Sequence, residues 1–406
     1  MKILFLITIL FSTFTHARVY NHSEWMKVFE EKDLNTQIEL LQVQTARAQI
    51  DESLGRIIPS LNIETVVNTA ISGPLGLLSG MSNLLGFMMP SRWYKWNESK
   101  MYYQAQKHAY VSMRGNLLLM ADELYLSLKK AYLTRDVLNL AITDLESLSR
   151  SIQFRERIGE LPKGTYARIE SKLYSLQNDK INIDSIVQVF LIEMNKLINT
   201  SESPELTTID YQTSRESNVL DWNRDNVISA SSELQSLDDL IVASKYSRRA
   251  RFWSFLDISG EGFGLGYFAR NQISTYKRDE IEIRREQQLQ ALVSKYQAVS
   301  VQVNKVEAQQ ALLNKALRST SNRREQILID YKLLGVLDID DFIEILDDNL
   351  TFSTQNIATT VQNEYLQATK ERLTKAGIYN NLDKNVPARD TSRLTRSQRK
   401  EDRYLP

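Results

Sequence analysis

Two long stretches of this chain contain almost nothing that interrupts a helix. From Ala269 to Leu334 there is neither Gly nor Pro, and from Glu98 to Ile158 there is one Gly, Gly115, and no Pro. Both residue types stop helices, Pro by removing a donor and clashing, Gly by its entropy. Within these stretches, and again over 169–197, the apolar residues step by three and four, with one polar interruption in each series: Gln310, Arg135 and Lys180. Leu289, Leu292, Tyr296, Val299, Val303, Val306, Leu313 and Leu317 form one series. Leu117, Ala121, Leu124, Leu128, Ala131, Leu138, Ile142 and Leu145 form another, and Ile169, Leu173, Leu176, Ile183, Val187, Phe190, Met194 and Leu197 a third. Such steps average 3.5, the period of a left-handed coiled coil. A helix of about 60 residues reaches roughly 90 Å, too long for the core of a compact domain. The whole chain of 406 residues holds only 14 Gly and 7 Pro, so the shortage of breakers is general.

Composition removes several function classes. There is no Cys, which excludes disulfides, Cys-ligated metal and a Cys-borne lipid anchor. The three His, at 16, 22 and 108, are too few for a His-rich metal centre; His108 lies in a helical run and reads as structural. Basic and acidic residues number 50 each, without the basic excess usual in nucleic-acid binders. No nucleophile–base motif, phosphate loop or metal-ligand spacing is present, so neither an enzyme nor a cofactor is expected. Gly262, Gly264 and Gly266 lack the spacing of a dinucleotide loop.

The N-terminus reads as a secretory signal over residues 1–17: Lys2, an apolar run from Ile3 to Phe14, then Thr15-His16-Ala17 at the cleavage position. No later stretch has the length and apolarity of a transmembrane helix. The glycines gather in two clusters, Gly73, Gly76, Gly80 and Gly86, then Gly260, Gly262, Gly264 and Gly266. A two-fold internal repeat follows. Residues 18–198 read as a helix, a β-hairpin at about 57–97 and a helical hairpin at 98–198. Residues 231–378 read as a helix, a β-hairpin at about 254–273 and a helical hairpin at 275–377. The Ser-, Thr- and Asn-containing segment 199–230 joins the halves as a linker, and 379–406 reads as a basic, disordered tail.

This order resembles the TolC family of outer-membrane efflux and secretion channels. The resemblance spans roughly 24–378. It rests on Ala46-Arg47-Ala48 through Arg56-Ile57-Ile58-Pro59-Ser60-Leu61-Asn62-Ile63, on the tandem repeat, and on Gly335 followed by Asp341-Phe342-Ile343-Glu344. It implies a mainly α fold with a small β part. Long antiparallel coiled coils would be joined to four strands per chain in a homotrimeric β-barrel/α-barrel tube. It also implies a place in the outer membrane, extending into the periplasm, with outer-membrane lipid, a periplasmic adaptor protein and an inner-membrane pump as partners. One protomer's strands cannot close a barrel, so assembly would be obligatory. The second hairpin is short for spanning, which leaves a non-conducting periplasmic coiled-coil scaffold as the alternative.

Two sets of residues stand out. Asp338, Asp340, Asp341, Glu344, Asp347 and Asp348 form an acidic run. Helix capping accounts for Asp338, but the dipole effect fades after one turn. By resemblance, Asp341 and Glu344 stand where the family has the acidic ring of its periplasmic gate; the Arg the family tends to have two residues after the glycine is here Leu337. Gly159 and Gly335 read as helical-hairpin tips with left-handed caps. Leu161, Val336 and Leu337 beside them are expected to be exposed and to meet the adaptor.

Overall fold

The computed structural model describes residues 18–55, 57, 89–197, 207–211, 222–254, 265–334 and 338–382. The breaker-free stretches are helical throughout. The elements are β1 (Arg18–Tyr20), α1 (His22–Lys32), α2 (Leu34–Gly55), α3 (Pro90–Arg157), α4 (Thr165–Leu197), β2 (Thr207–Ile209), α5 (Arg224–Ala230), α6 (Ser232–Trp253), α7 (Leu265–Leu334) and α8 (Ile339–Thr374). A 3₁₀ turn, Gly377–Asn381, follows. No helix among the described residues is long and apolar enough to cross a membrane.

The three-and-four spacing marks the faces that are covered. Ala121, Leu128 and Leu145 are fully buried on α3, Ile169 and Met194 on α4, and Val299, Val303 and Val306 are buried on α7.

Several boundaries differ from the sequence reading. The signal segment 1–17 lies outside the described residues, as do most of the two expected hairpins. Their described C-terminal parts, 90–97 and 265–273, are helical: α3 already begins at Pro90 and α7 at Leu265. Proline at the first helical position costs nothing, because that residue's amide would have no helical acceptor. The glycine cluster placed a hairpin as far as 273, but no breaker follows Gly266 and the helix already starts at Leu265. Part of the linker is ordered. Asn223, which reads as a loop former, caps α5 by accepting from Asn226 N at 2.8 Å. Β2 within the linker pairs in parallel with β1, Val19 opposite Thr208. The first residues of the expected tail are packed as well: Tyr379 and Leu382 are buried, and Arg114 donates to the Leu382 carbonyl at 3.2 Å.

The chain divides into two compact units, and several helices contribute to both. The first comprises residues 1–33, 117–218 and 298–370. Here Trp25, buried beside Phe29, donates its indole N–H to the Ala121 carbonyl at 3.0 Å. His22 Nε2 lies 2.8 Å from Asp122, whose side chain is fully buried. Tyr125 donates to the Asp210 carbonyl at 2.6 Å, Tyr132 stacks on Tyr211, and Lys129 pairs with Glu364 at 2.8 Å. Burial pushes the Tyr125 phenol up, and the acidic neighbours Asp210, Glu364 and Asp122 add to the shift.

The second unit comprises 34–116, 219–297 and 371–406. Its apolar packing includes Val227, Leu234, Leu292 and Leu373, with Trp222 against Tyr296. His108 sits 3.0 Å from Asp239. A polar cluster lies inside it. Arg372, with its side chain 4% exposed, donates to Glu233 at 2.8 Å and to the Ser112 carbonyl at 2.9 Å. Ser112 donates its hydroxyl to Glu233 at 2.6 Å. Burial alone would raise the Glu233 carboxyl; the Arg372 charge and the Ser112 and Ser231 hydroxyls outweigh it and hold it below the usual range.

Gly115 is required beside this cluster, because a Cβ there would stand 2.4 Å from Arg372 Nε. Gly115→Ala is therefore expected to cost about 1–3 kcal/mol, read by thermal unfolding. The Glu233 shift also sets a sign. A carboxylate with a lowered folded pKa contributes stability that is present above its ordinary value, 4.5, and is lost as pH falls through the folded value. Glu233→Gln should unfold more readily than the wild type at neutral pH, and the two should converge in acid, as measured by melting from about pH 3 to 7.

Candidate functional site

The ends of α3, α4, α7 and α8 within the first unit carry most of the residues singled out in the sequence. Their apolar faces share one cluster: Leu145, Leu148 and Ile152 of α3, Ile169 and Leu176 of α4, Tyr331 of α7, and Phe342 and Leu346 of α8. Polar contacts surround it. Ser151 and Tyr331 share a hydroxyl hydrogen bond of 2.7 Å, and the Arg155 guanidinium stands 4.6 Å from the Tyr331 ring centre.

The turn between α3 and α4 ends one helix and starts the next with few residues. Gly159 has φ +85°, which a side chain would strain, and two hydrogen bonds close the helix end around it. Gly159 N donates to the Glu156 carbonyl at 3.1 Å and Glu160 N to the Arg155 carbonyl at 2.9 Å, a Schellman arrangement. Gly164, at φ +94°, is the second left-handed residue. The Glu156 carboxylate then accepts from Gly164 N and Tyr166 N, both at 2.7 Å, and these two bonds lower its pKa. One side chain from the end of α3 thereby caps the start of α4.

Leu161 corrects the sequence reading. It is 7% exposed and belongs to the apolar cluster, because the turn folds it back over the helix ends. The exposed apolar side chains nearby are Phe154 and Ile158 of the α3 end. Gly335, Val336 and Leu337 lie outside the described residues.

The acidic run on α8 splits into distinct roles. Asp338 Oδ1 accepts from Asp340 N at 3.1 Å and Asp341 N at 3.3 Å, which is helix capping. Asp340 pairs with Arg168 of α4, Asp347 with Lys172 of α4, and Asp341 with Arg323 of α7 at 2.5 Å. Asp144 of α3 pairs with Arg324 of α7. Phe342, Ile345 and Leu346 point the other way and are buried. Glu344 and Asp348 are exposed, and no cation among the described residues pairs with them.

Arg168, Lys172 and Arg323 are the residues that sequence reasoning missed. They lie on two other helices, and nothing in their local spacing links them to the α8 acids. The cation that reaches Asp341 comes from α7, through Arg323. These pairs are partly exposed and individually weak, so they adjust how the helix ends sit without deciding whether they pack.

Leu161→Ala should lower stability by about 2–5 kcal/mol, the usual cost of truncating a buried leucine. A Leu161 side chain that served only to touch a partner would give no change in chemical denaturation.

No family model matches the sequence. No curated protein matches it either. Among solved structures, the Campylobacter jejuni CmeC outer membrane channel superposes with a TM-score of 0.70 at 11% identity, covering 90% of this chain and 89% of that one. The outer-membrane channel OprN gives 0.68 at 11% identity, covering 87% and 90%. The open state of the Neisseria gonorrhoeae MtrE outer membrane channel gives 0.60 at 13% identity, covering 87% and 88%. A likeness that extends over almost the full length of each chain, carried by helices of this length, gives this chain the fold of the TolC-type outer-membrane channels.

Proposed function

We propose that this chain is the outer-membrane channel of an export system, a homotrimer reaching into the periplasm and docked there by an adaptor and an inner-membrane pump. The observation that carries the reading is the near-full-length match to outer membrane channels. Two features of the chain agree with it. Tyr174, Ile181, Val189 and Ile192 leave an exposed apolar row along α4, which a second copy would cover. The 34 residues 56–89 between α2 and α3 are long enough for two spanning strands of roughly 9–11 residues each.

In this reading the α8 end is the gate. Asp341, held by Arg323, and the exposed Glu344 lie three residues apart, on one face of the helix. Repeated around a three-fold axis they would make a ring of carboxylates that favours cations and narrows the aperture. The turn carrying Gly159, with Ile158 and Phe154 exposed beside it, is the adaptor contact on this chain's described surface, and Gly335, Val336 and Leu337 would form the matching turn.

One observation favours the second reading, a non-conducting periplasmic scaffold of the same fold. Only eleven residues, 254–264, separate α6 from α7. Two spanning strands need about twice that number.

Conductance separates the two. The purified protein should form channels in planar bilayers and be recovered with washed outer membranes as a trimer; soluble periplasmic recovery without conductance overturns the channel. Asp341→Ala combined with Glu344→Ala should raise single-channel conductance and weaken block by divalent cations. Unchanged conductance and block would remove these two residues from the gate.

A further inference from the structure

The C-terminal turns of α6 and the N-terminal turns of α7 enclose an open cavity of about 760 Å³. Its α6 wall is Lys245, Arg248, Arg249 and Phe252, at positions i, i+3, i+4 and i+7, hence one face of one helix. Its α7 wall includes Phe268, Gln272, Thr275 and Tyr276, again at helical spacing. The two walls are tied together outside the cavity. Arg251 donates to the Arg270 carbonyl at 3.3 Å, and Arg285 pairs with Asp238.

The charges are unbalanced. Lys245, Arg248 and Arg249 are exposed, and no carboxylate among the described residues pairs with any of them. Arg249 has only the Tyr94 ring, 6.0 Å away. A fourth cation, Arg278, is already engaged by Asp279 at 2.9 Å and Glu282 at 3.3 Å. Like charges at i and i+4 weaken a helix, so this face carries a cost that no carboxylate among the described residues offsets. The same cavity exposes large aromatic surface: Phe252, Phe268 and Tyr276 are 52%, 57% and 68% exposed.

We propose that this cavity binds the phosphate-bearing headgroup of an anionic phospholipid. The three cations of α6 hold the phosphate, and Phe252, Phe268 and Tyr276 lie along the first part of the acyl chains. Cations beside aromatic side chains are the combination that suits the boundary between headgroups and hydrocarbon. A free anion would use only the basic wall. The inference rests on the reading that this end of the protein meets the outer membrane. It deepens that reading, because the eleven residues between α6 and α7 are too few for two spanning strands and a surface grip would hold this end to the leaflet.

The test uses the full chain in a neutral detergent, titrated calorimetrically with dihexanoyl phosphatidylglycerol, dihexanoyl phosphatidylcholine and inorganic phosphate. Phosphatidylglycerol should bind saturably, and Lys245→Gln/Arg248→Gln/Arg249→Gln should weaken it about tenfold or more with an unchanged melting temperature. Arg248→Gln alone should weaken it severalfold, which keeps the test decisive if the triple variant is unstable. Phe268→Ala should weaken phosphatidylglycerol binding too. Equal binding of phosphatidylcholine, equally tight binding of inorganic phosphate, or undiminished binding by the variants overturns the proposal. Bilayer conductance without phosphatidylglycerol binding overturns the cavity assignment alone, and phosphatidylglycerol binding without conductance overturns the channel reading alone.

Discussion

Apolar residues repeating every three and four positions along these helices leave water by packing on one another, and the rest of this structure follows from that constraint. A single such helix has no core of its own. The cluster of Leu145, Ile152, Ile169, Tyr331 and Phe342 shows how the constraint is met, since four helix ends contribute to one apolar volume. The seam leaves little freedom in register. Moving one helix by a residue would turn its apolar row out and a polar row in.

Specificity also comes from polar groups set among the apolar faces. Buried, hydrogen-bonded charge clusters fix which faces meet. Arg372 with Glu233 and Ser112, and Lys129 with Glu364, each join residues more than a hundred positions apart. A charge left alone there would be costly, so alternative pairings are penalised. The ion pairs at the helix ends behave differently. Arg168–Asp340 and Arg323–Asp341 are solvated and can be exchanged at little cost, which suits an end that is proposed to open.

The turn between α3 and α4 shows how much can rest on a few residues. Gly159 and Gly164 adopt left-handed backbone, and Glu156 closes the space between them with two backbone hydrogen bonds. The same fold-back carries Leu161 into the core. A residue that looks like an exposed loop leucine in the sequence is therefore part of the packing, while Phe154 and Ile158, which belong to the helix pattern, remain in solvent.

The helices, their seams and the left-handed cap at Gly159 were legible in the sequence, because each depends on neighbours within one or two turns. Capping at Asp338 was legible for the same reason. The helical start at Pro90 was not, since proline reads as a breaker unless its position in the first turn is known. The roles within the acidic run were hidden as well. Which acid caps, which pairs with Arg168, Lys172 or Arg323, and which stays exposed depends on cations 18 to more than 170 residues away. The basic face of α6 has a periodicity that can be read locally, yet its meaning required α7, because only packing brings Phe268 and Tyr276 opposite Lys245, Arg248 and Arg249. Local periodicity determines what a segment becomes, and long-range packing decides which distant side chains share a surface, because local spacing does not say which remote residues come together in space.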